Sequence, residues 1–180
     1  MDTTEIEARR ARFDEAARGL IEPVRRFLAR RTDPATADDV LGDTLLVLWR
    51  RYDELPDEVL PFAYGVARLC LSNAQRSARR QQRVAGRIAT LDPPREAPEP
   101  TGDDRLAEAM SGLPPDEAEL LRLWAWEQLT PGEIATVLDI TSNAASIRLH
   151  RARGRLRAEL RKIDDADGHE SSKEGRDRDR

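Results

Sequence analysis

An arginine-rich run in the last third of the chain carries the clearest chemical signal of the sequence. Arginine recurs at positions 148, 151, 153, 155 and 157, and Glu159 is the only acid between Arg148 and Lys162. Guanidinium groups at this density suit a polyanion such as a nucleic acid, because each presents a planar fork of N–H donors to phosphate oxygens. A basic run alone is usually a solvated helix face, so its function depends on the elements that hold it.

The segment around these arginines predicts two helices joined by a tight turn. Thr130-Pro131-Gly132-Glu133 has the form of a helix start, with a capping threonine, proline at the first helical position and glutamate three residues after the cap. Residues 139–143 then interrupt the pattern with cap-forming side chains. A second apolar stripe follows, through Ala144, Ile147, Leu149, Ala152 and Leu156. Such a helix-turn-helix commonly sets its second helix in the major groove, which favours DNA binding over a solvated basic helix.

The composition indicates a helix-rich protein whose charge is segregated along the chain. Charged residues make up 36% of the 180 residues and aromatic residues 4%. The alternation of β-branched residues that is typical of strands is absent, so we predict an all-α fold. The net charge of −4 would argue against nucleic-acid binding. However, the span 76–87 holds five arginines and no acid, and the local sign of the charge decides which surface meets DNA.

The sequence offers no catalytic, metal or cofactor site. Cys70 is the single cysteine, so a cysteine-based metal site is excluded, and its apolar surroundings predict a buried, inert thiol. His150 and His169 have no second ligand in helical register, and neither a glycine-rich phosphate loop nor a nucleophile elbow occurs. No apolar run is long enough to span a membrane, and the N-terminus lacks a signal-peptide core. We therefore expect no enzyme activity, no cofactor, no membrane insertion and a cytoplasmic location.

Three helices are predicted in the first half of the chain. The first spans about residues 3–31 and should be kinked or divided at Pro23. The second should begin near Ala35 or Thr36, with two aspartates in its first turn. Its apolar residues cover more than one face, as in a helix that is central to a bundle or docks a partner. After a loop at 53–61, the third helix should run to about residue 85, with an apolar half packed in the core and a basic half that meets an anion.

A proline- and acid-rich stretch divides the chain. Residues 88–104 have no apolar periodicity after Leu91 and cannot bury a core, so they are predicted to be a flexible linker. Two small helical domains result, residues 1–87 and residues 105–163. The second domain should contain two further helices before the helix-turn-helix, and the tryptophans of the later one should cover its core. The polar tail 164–180 is predicted to be disordered.

Two blocks of the sequence resemble a bacterial RNA polymerase sigma factor of the small, extracytoplasmic-function (ECF) type. The first block contains ADDVLGDTLLVLW and is similar to region 2 of that family, and the second contains EIA…IRLHRARGRLR and is similar to region 4. The resemblance implies a transcription initiation factor that binds core RNA polymerase (its β′ and β subunits). It also implies that the factor directs polymerase to specific promoters, through contacts with double- and single-stranded DNA. An anti-sigma factor is a usual partner for the type that the chain resembles.

The resemblance assigns roles residue by residue. The surface of the second predicted helix that docks on polymerase matches Asp39, Asp43, Leu46, Trp49 and Arg50. The part of the third helix that opens and holds the minus-ten element matches Arg68, Leu69, Asn73, Arg76, Arg79, Arg80 and Arg83. The loop at 55–61 corresponds to the loop that traps a flipped base. The helix that reads the minus-thirty-five element matches Ser142, Asn143, Ser146, Ile147, Arg148, His150, Arg151, Arg153 and Arg155.

The chain departs from the family pattern at three places. Leu69 stands where the family often has asparagine, Gly42 where it often has glutamine, and Ala144-Ala145-Ser146 where Thr-Val-Lys or Thr-Val-Arg is commoner. The promoter preference of the family therefore does not transfer to this chain. The alternative hypothesis is a stand-alone helix-turn-helix regulator whose N-terminal domain binds a ligand or partner. The basic end of the third helix favours the sigma factor, since a ligand-sensing domain has no obvious use for it.

Overall fold

The computed structural model describes residues 3–85 and 104–174, which are helical apart from short connections. The α-helices in these two ranges are α1 (Thr3–Ala29), α2 (Pro34–Arg50), α3 (Val59–Ala85), α4 (Asp104–Ser111), α5 (Pro115–Ala125), α6 (Pro131–Leu138) and α7 (Ser142–Glu174). A short 3₁₀ helix, Tyr52–Glu54, follows α2. The described residues contain no strand, so the predicted all-α class is confirmed.

The chain divides into two compact units. The first unit contains the helices α1, α2 and α3. The second unit contains α4, α5 and α7, together with the beginning of α6. The predicted linker, apart from Asp104 at the start of α4, lies outside the described residues. The domain limits at 87 and 105 therefore stay predictions.

The core of the first unit forms where α2 lies against α1 and α3. Val40, Thr44 and Leu48 recur at helical spacing along α2 and are almost fully buried. The hydroxyl of Thr44 donates to the carbonyl of Val40 at 2.7 Å, so burying it leaves no unsatisfied polar group. In the same unit, the ring of Phe27 on α1 stacks on Tyr64 of α3, with the ring centroids 5.0 Å apart. These contacts fix which face of α2 and of α3 remains exposed.

Helix α1 is continuous through Pro23, where the sequence predicted a kink or a division. The ring of a proline inside a helix clashes with the carbonyl four residues earlier, which here belongs to Gly19. Gly19 is exposed, and a Cβ added there would meet nothing within 4 Å. Gly19 faces open space, and α1 is not divided at Pro23, so the predicted division is wrong.

Helix α2 begins at Pro34, slightly earlier than predicted. Asp33 caps it, since one of its carboxylate oxygens accepts from the backbone N–H of Thr36 at 3.1 Å. This hydrogen bond is the main reason that the pKa of Asp33 is lowered. The first turn consequently contains no acidic residue, and the prediction that Asp38 and Asp39 occupy it is wrong.

The core of the second unit forms where α4 and α5 lie against α7. The helix α5 contributes Leu120, Leu121 and Leu123 to this core, and all three are nearly fully buried. An ion pair between Arg105 and Asp164 also joins α4 to α7. Helix α7 extends to Glu174, so the prediction of disorder from residue 164 is wrong as far as that residue. The remainder of the predicted tail, 175–180, lies outside the described residues.

Candidate nucleic-acid interface

A reciprocal cap starts helix α6, as the spacing of Thr130 and Glu133 predicts. The backbone N–H of Glu133 donates to the hydroxyl of Thr130 at 3.3 Å, and a Glu133 carboxylate oxygen accepts from the backbone N–H of Thr130 at 2.7 Å. The same carboxylate oxygen accepts from the Thr130 hydroxyl at 2.6 Å. Because these bonds favour the ionised carboxylate, they lower the pKa of Glu133. The helix-turn-helix thus has a defined first residue.

A left-handed residue forms the turn between α6 and α7. Asp139 has a φ of 54°, and the N–H of Ile140 donates to the carbonyl of Ala135 at 3.0 Å, as in a Schellman motif. Thr141 then caps α7, since its hydroxyl accepts from the N–H of Ala144 at 3.2 Å. The predicted break is therefore confirmed at residues 139–141, whereas Ser142 and Asn143 already belong to α7, which bears the arginines.

Helix α7 has one buried line and one exposed line. Ala145, Leu149 and Ala152 are buried at the spacing of a single helix face. Asn143, Ile147 and His150 are exposed on the opposite side. Ile147 is 45% exposed, so its predicted place in the apolar stripe is wrong, although its predicted role as a surface residue agrees with this position. The exposed line is free of the contacts that hold the unit together.

The arginine side chains of α7 differ in the contacts that they make. Arg148 and Arg151 are exposed. Arg153 lies over the ring of Trp124, with its guanidinium carbon 4.5 Å from the ring centroid. Arg155 makes an ion pair with Glu117, at 2.9 Å between its Nη1 and a carboxylate oxygen. These four side chains therefore present the same charge in different environments.

The tryptophans at and just after the C-terminal end of α5 are partly exposed. Trp124 is 39% exposed and Trp126 is 42% exposed. The guanidinium of Arg153 covers part of Trp124, and that of Arg122 lies 5.9 Å from the ring of Trp126. Leucines of the same helix fill the core itself, and the prediction that the tryptophans cover it is compatible with their partial exposure.

A second basic line follows helix α3. Leu69, Asn73, Arg76 and Arg80 are all exposed and recur at the spacing of one helix face. The side chain of Leu69 is 56% exposed. Arg79 borders this line, and Asn73, Arg76, Arg79 and Arg80 together line an open depression in the surface. The predicted division of α3 into a buried and a basic half is confirmed, since its buried residues end at Leu71.

The remaining two predicted residues of α3 have a different status. Arg68 is half-buried, and in the described part of the chain its Nε has no hydrogen-bond partner. The side chain of Arg83 lies outside the described residues. The lone cysteine, Cys70, is half-buried rather than buried as predicted, and burial is the main cause that raises the pKa of its thiol.

Four of the predicted polymerase-docking residues share the outer face of α2. Asp39, Asp43, Leu46 and Arg50 are exposed at helical spacing, on the side opposite the core residues of that helix. Leu46 is 45% exposed. Gly42 borders this line, and a Cβ added there would meet nothing within 4 Å, so it serves no close approach within the described residues. We call these four residues the α2 outer face.

Trp49, the fifth predicted docking residue, is turned toward α1 instead. Its ring makes an edge-on contact with Phe13, with centroids 5.3 Å apart, and the guanidinium of Arg9 lies 4.4 Å from its centroid. Arg9 also donates to the Trp49 carbonyl at 3.0 Å and pairs with Asp53 at 3.0 Å. Trp49 therefore packs within the unit, just before the connection to α3. That connection is shorter than the predicted loop at 55–61, because α3 already begins at Val59.

The sequence did not reveal the partners Arg9 and Glu117. Arg9 meets Asp53 across 44 positions, and Glu117 meets Arg155 from a different helix. Periodicity reports the face on which a residue lies, but it does not report which distant residue lies opposite. The only sequence signal for these pairs was that each partner carries a charge of opposite sign. Because charged residues are abundant in this chain, that signal could not identify the partner.

Two further features bear on function. Among residues 3–85 and 104–174, no helix is long and apolar enough to cross a membrane. Within those same ranges, no group of three or more metal-binding side chains lies close enough to hold an ion.

Known proteins support the assignment of the helix-turn-helix. A model of the family "Sigma-70, region 4" matches residues 103–156, which include α4 to the middle of α7. The chain is 30% identical over 162 residues to the ECF RNA polymerase sigma factor SigL of Mycobacterium tuberculosis, covering 86% of this chain and 89% of SigL. It is 29% identical over 156 residues to the RNA polymerase sigma-E factor of Streptomyces coelicolor, covering 82% of this chain and 85% of that factor.

One relative is much longer, and two solved structures share the fold. The chain is 32% identical over 145 residues to the probable sigma factor RfaY of Xanthomonas campestris, but it spans only 36% of that protein. The sigma factor RpoE of Bartonella quintana, solved with the anti-sigma factor NepR, superposes with a TM-score of 0.59 at 18% identity, covering 83% of this chain and 96% of RpoE. CnrH, solved with the cytosolic domain of CnrY, gives 0.53 at 19% identity, covering 87% and 89%.

The fold and the interface define a two-unit helical DNA-binding protein with a helix-turn-helix of the sigma-70 region 4 type. Since the similarity to SigL extends over nearly the whole of both chains, the chain belongs to the ECF sigma factors of RNA polymerase. It is a transcription initiation factor, and the main hypothesis from the sequence is thereby supported over a stand-alone regulator.

Proposed function

We propose that this sigma factor uses three separate surfaces in transcription initiation. The α2 outer face binds core RNA polymerase, the basic line of α3 holds the opened minus-ten element, and the exposed line of α7 binds the minus-thirty-five element. The protein acts as a non-catalytic subunit in the cytoplasm, where polymerase works. The observation that carries the proposal is that each predicted surface is a continuous exposed line on the side of its helix opposite the core.

The α2 outer face suits a protein partner. It combines an exposed leucine with charged residues of both signs, and a partly apolar centre with a charged rim is the usual anatomy of a protein interface. Trp49 supports this surface from behind rather than touching the partner, because Phe13 and Arg9 occupy its ring. We therefore assign docking to Asp39, Asp43, Leu46 and Arg50.

The basic line of α3 suits a single strand of DNA. Binding of a single strand combines cationic groups that track the backbone with flat or apolar side chains that meet the bases. Arg76 and Arg80 supply the charge, Asn73 offers hydrogen bonds, and the exposed Leu69 begins the line. A leucine cannot form a hydrogen bond with a base edge, so Leu69 would contribute apolar contact only.

The exposed line of α7 suits the major groove. Asn143, Ser146, Ile147 and His150 occupy the N-terminal turns of the helix, which meet base edges in helix-turn-helix proteins. Arg148, Arg151 and Arg153 lie farther round or farther along and would contact phosphates, which give affinity but little sequence preference. Ser142 precedes them at the start of the helix, where backbone N–H groups favour a phosphate.

The proposal is tested with purified chain, core polymerase and a library of bacterial genomic fragments. The wild-type chain should make core polymerase retain a subset of fragments in a salt-sensitive complex. Arg151→Ala should reduce that retention while leaving association with core polymerase unchanged, because Arg151 is exposed on the other unit from the α2 outer face. Loss of both properties in this variant would show that Arg151 is structural, and no association of the wild-type chain with core polymerase at low salt would refute the proposal.

A further inference from the structure

Helix α5 holds two arginines of α7 from opposite flanks. Trp124, near the end of α5, lies under Arg153, whereas Glu117, near its start, pairs with Arg155. Successive residues of an α-helix are rotated by about 100°, so positions 153 and 155 each lie about 80° from the buried line of α7, on its two sides. Helix α5 therefore crosses beneath α7, and each of its ends reaches one flank.

The two flanks differ in net charge. The indole of Trp124 is neutral, so Arg153 keeps its full charge in a contact that restrains the side chain. Glu117 carries a carboxylate, so its pair with Arg155 has no net charge. The duplex backbones run along both sides of a helix seated in the major groove, and each neutralised phosphate adds to affinity through counterion release. A guanidinium already paired with a carboxylate releases fewer counterions.

Glu117 is placed to keep its partner. Its side chain is only 15% exposed, whereas that of Arg155 is 58% exposed. Within the described residues, the second carboxylate oxygen of Glu117 has no hydrogen-bond partner. A buried carboxylate that lost Arg155 would remain uncompensated, and that cost opposes transfer of the arginine to a phosphate. The ion pair between Glu117 and Arg155 is therefore favoured over a contact between Arg155 and a phosphate, even when DNA is near.

We propose that Glu117 neutralises Arg155 and thereby limits the affinity of α7 for the DNA backbone. This inference rests on the proposed DNA-binding role of α7, and it removes Arg155 from the DNA-binding residues that the resemblance assigns to that helix. The consequence is weak binding of this unit to DNA of arbitrary sequence, so that attachment to promoters depends on the polymerase-bound state. Glu117 acts on DNA only through Arg155.

The test measures how the affinity of the full-length chain for a short duplex of mixed sequence depends on salt. Glu117→Gln keeps the shape and one hydrogen-bond acceptor but removes the charge. It should steepen the dependence of log affinity on log salt by about 0.9, the contribution of one phosphate, which corresponds to about threefold extra loss of affinity over a fourfold rise in salt. Adding Arg155→Ala to Glu117→Gln should return the slope to the wild-type value.

A matched control uses the same helix. Glu119→Gln makes the same change in net charge, but Glu119 pairs with Arg122 of its own helix α5, at 3.7 Å. It should leave the slope unchanged, while Arg151→Ala should lower it. An unchanged slope in Glu117→Gln, or equal effects of the Glu117 and Glu119 variants, would refute the role of Glu117. An unchanged slope in Arg151→Ala would refute the DNA-binding role of α7 itself, so the two failures are distinguishable.

Discussion

Leu46 and Leu69 allow the surfaces of the first unit to be separated by two small substitutions. Leu46 lies on the α2 outer face and is 45% exposed, whereas Leu69 begins the basic line of α3 and is 56% exposed. Full burial of a leucine is worth about 1.5–3 kcal/mol, so burying the exposed fraction of Leu46 under polymerase contributes about 0.7–1.4 kcal/mol. Leu46→Ala should therefore weaken binding to core polymerase by up to about three- to tenfold.

The control removes the same atoms from the other surface. Leu69→Ala should leave the affinity for core polymerase unchanged and instead reduce the formation of opened promoter complexes. Neither variant should shift the free energy of unfolding by more than about 0.5 kcal/mol, because neither side chain is in the core. Titration of fluorescently labelled chain with core polymerase gives the affinities, and chemical denaturation gives the stabilities. Equal affinities for the wild type and Leu46→Ala, with a loss in Leu69→Ala, would refute the assignment of the two surfaces.

Three further predictions concern the framework of these surfaces. Asp139→Gly should raise the free energy of unfolding by about 0.5–1 kcal/mol in thermal or urea melts, because glycine adopts the positive φ of this turn without steric cost; a destabilised variant would show that the aspartate side chain holds the turn. Glu133→Gln should lower stability at neutral pH. Since the pKa of Glu133 is lowered in the folded state, its contribution is present above the pKa of the unfolded chain and is lost as pH falls through the folded value. Melting curves of wild type and variant should therefore converge as the pH falls below the ordinary glutamate pKa of about 4.3 and through the lower folded value, and a constant difference would contradict the role of the cap. Because burial raises the pKa of Cys70, iodoacetamide should alkylate it more slowly at pH of about 8 in the native chain than in the urea-unfolded chain, and equal rates would contradict the burial.

Periodicity predicted the helices, whereas the residues of the three exposed surfaces were assigned by the resemblance to the ECF family. Local sequence patterns predicted the all-α class, the cap at Thr130, the turn before α7, and the division of α3 into an apolar and a basic half. These features are local, because a cap or a helix face is decided by residues within a few positions of one another. The α2 outer face follows from the same rule, since core and surface alternate with the turn of the helix.

Contacts between distant helices are the part that periodicity did not predict. The ring of Trp49, which the resemblance assigns to polymerase docking, packs against Phe13 and Arg9 of α1. Ile147 is apolar like a core residue, but it is exposed, because Ala145 lies on the buried line of α7 and Ile147 lies on the opposite side. At Pro23 and at Ile147 the deciding residues lie on the same helix, but the sequence pattern alone did not show which face of that helix is buried.

The central claim is that this chain confers promoter selection on core polymerase through both units. Transcription of bacterial genomic DNA by core polymerase, with and without the chain, followed by mapping of transcript 5′ ends, tests it directly. The account predicts start sites that depend on the chain and share two short upstream elements. Leu46→Ala should lower transcription from all of these sites when the concentration of the chain is limiting. Arg151→Ala should lower transcription from the sites that rely on the upstream element farther from the start. Transcription that is unchanged by the chain, together with sequence-specific DNA binding by the chain alone, would contradict it.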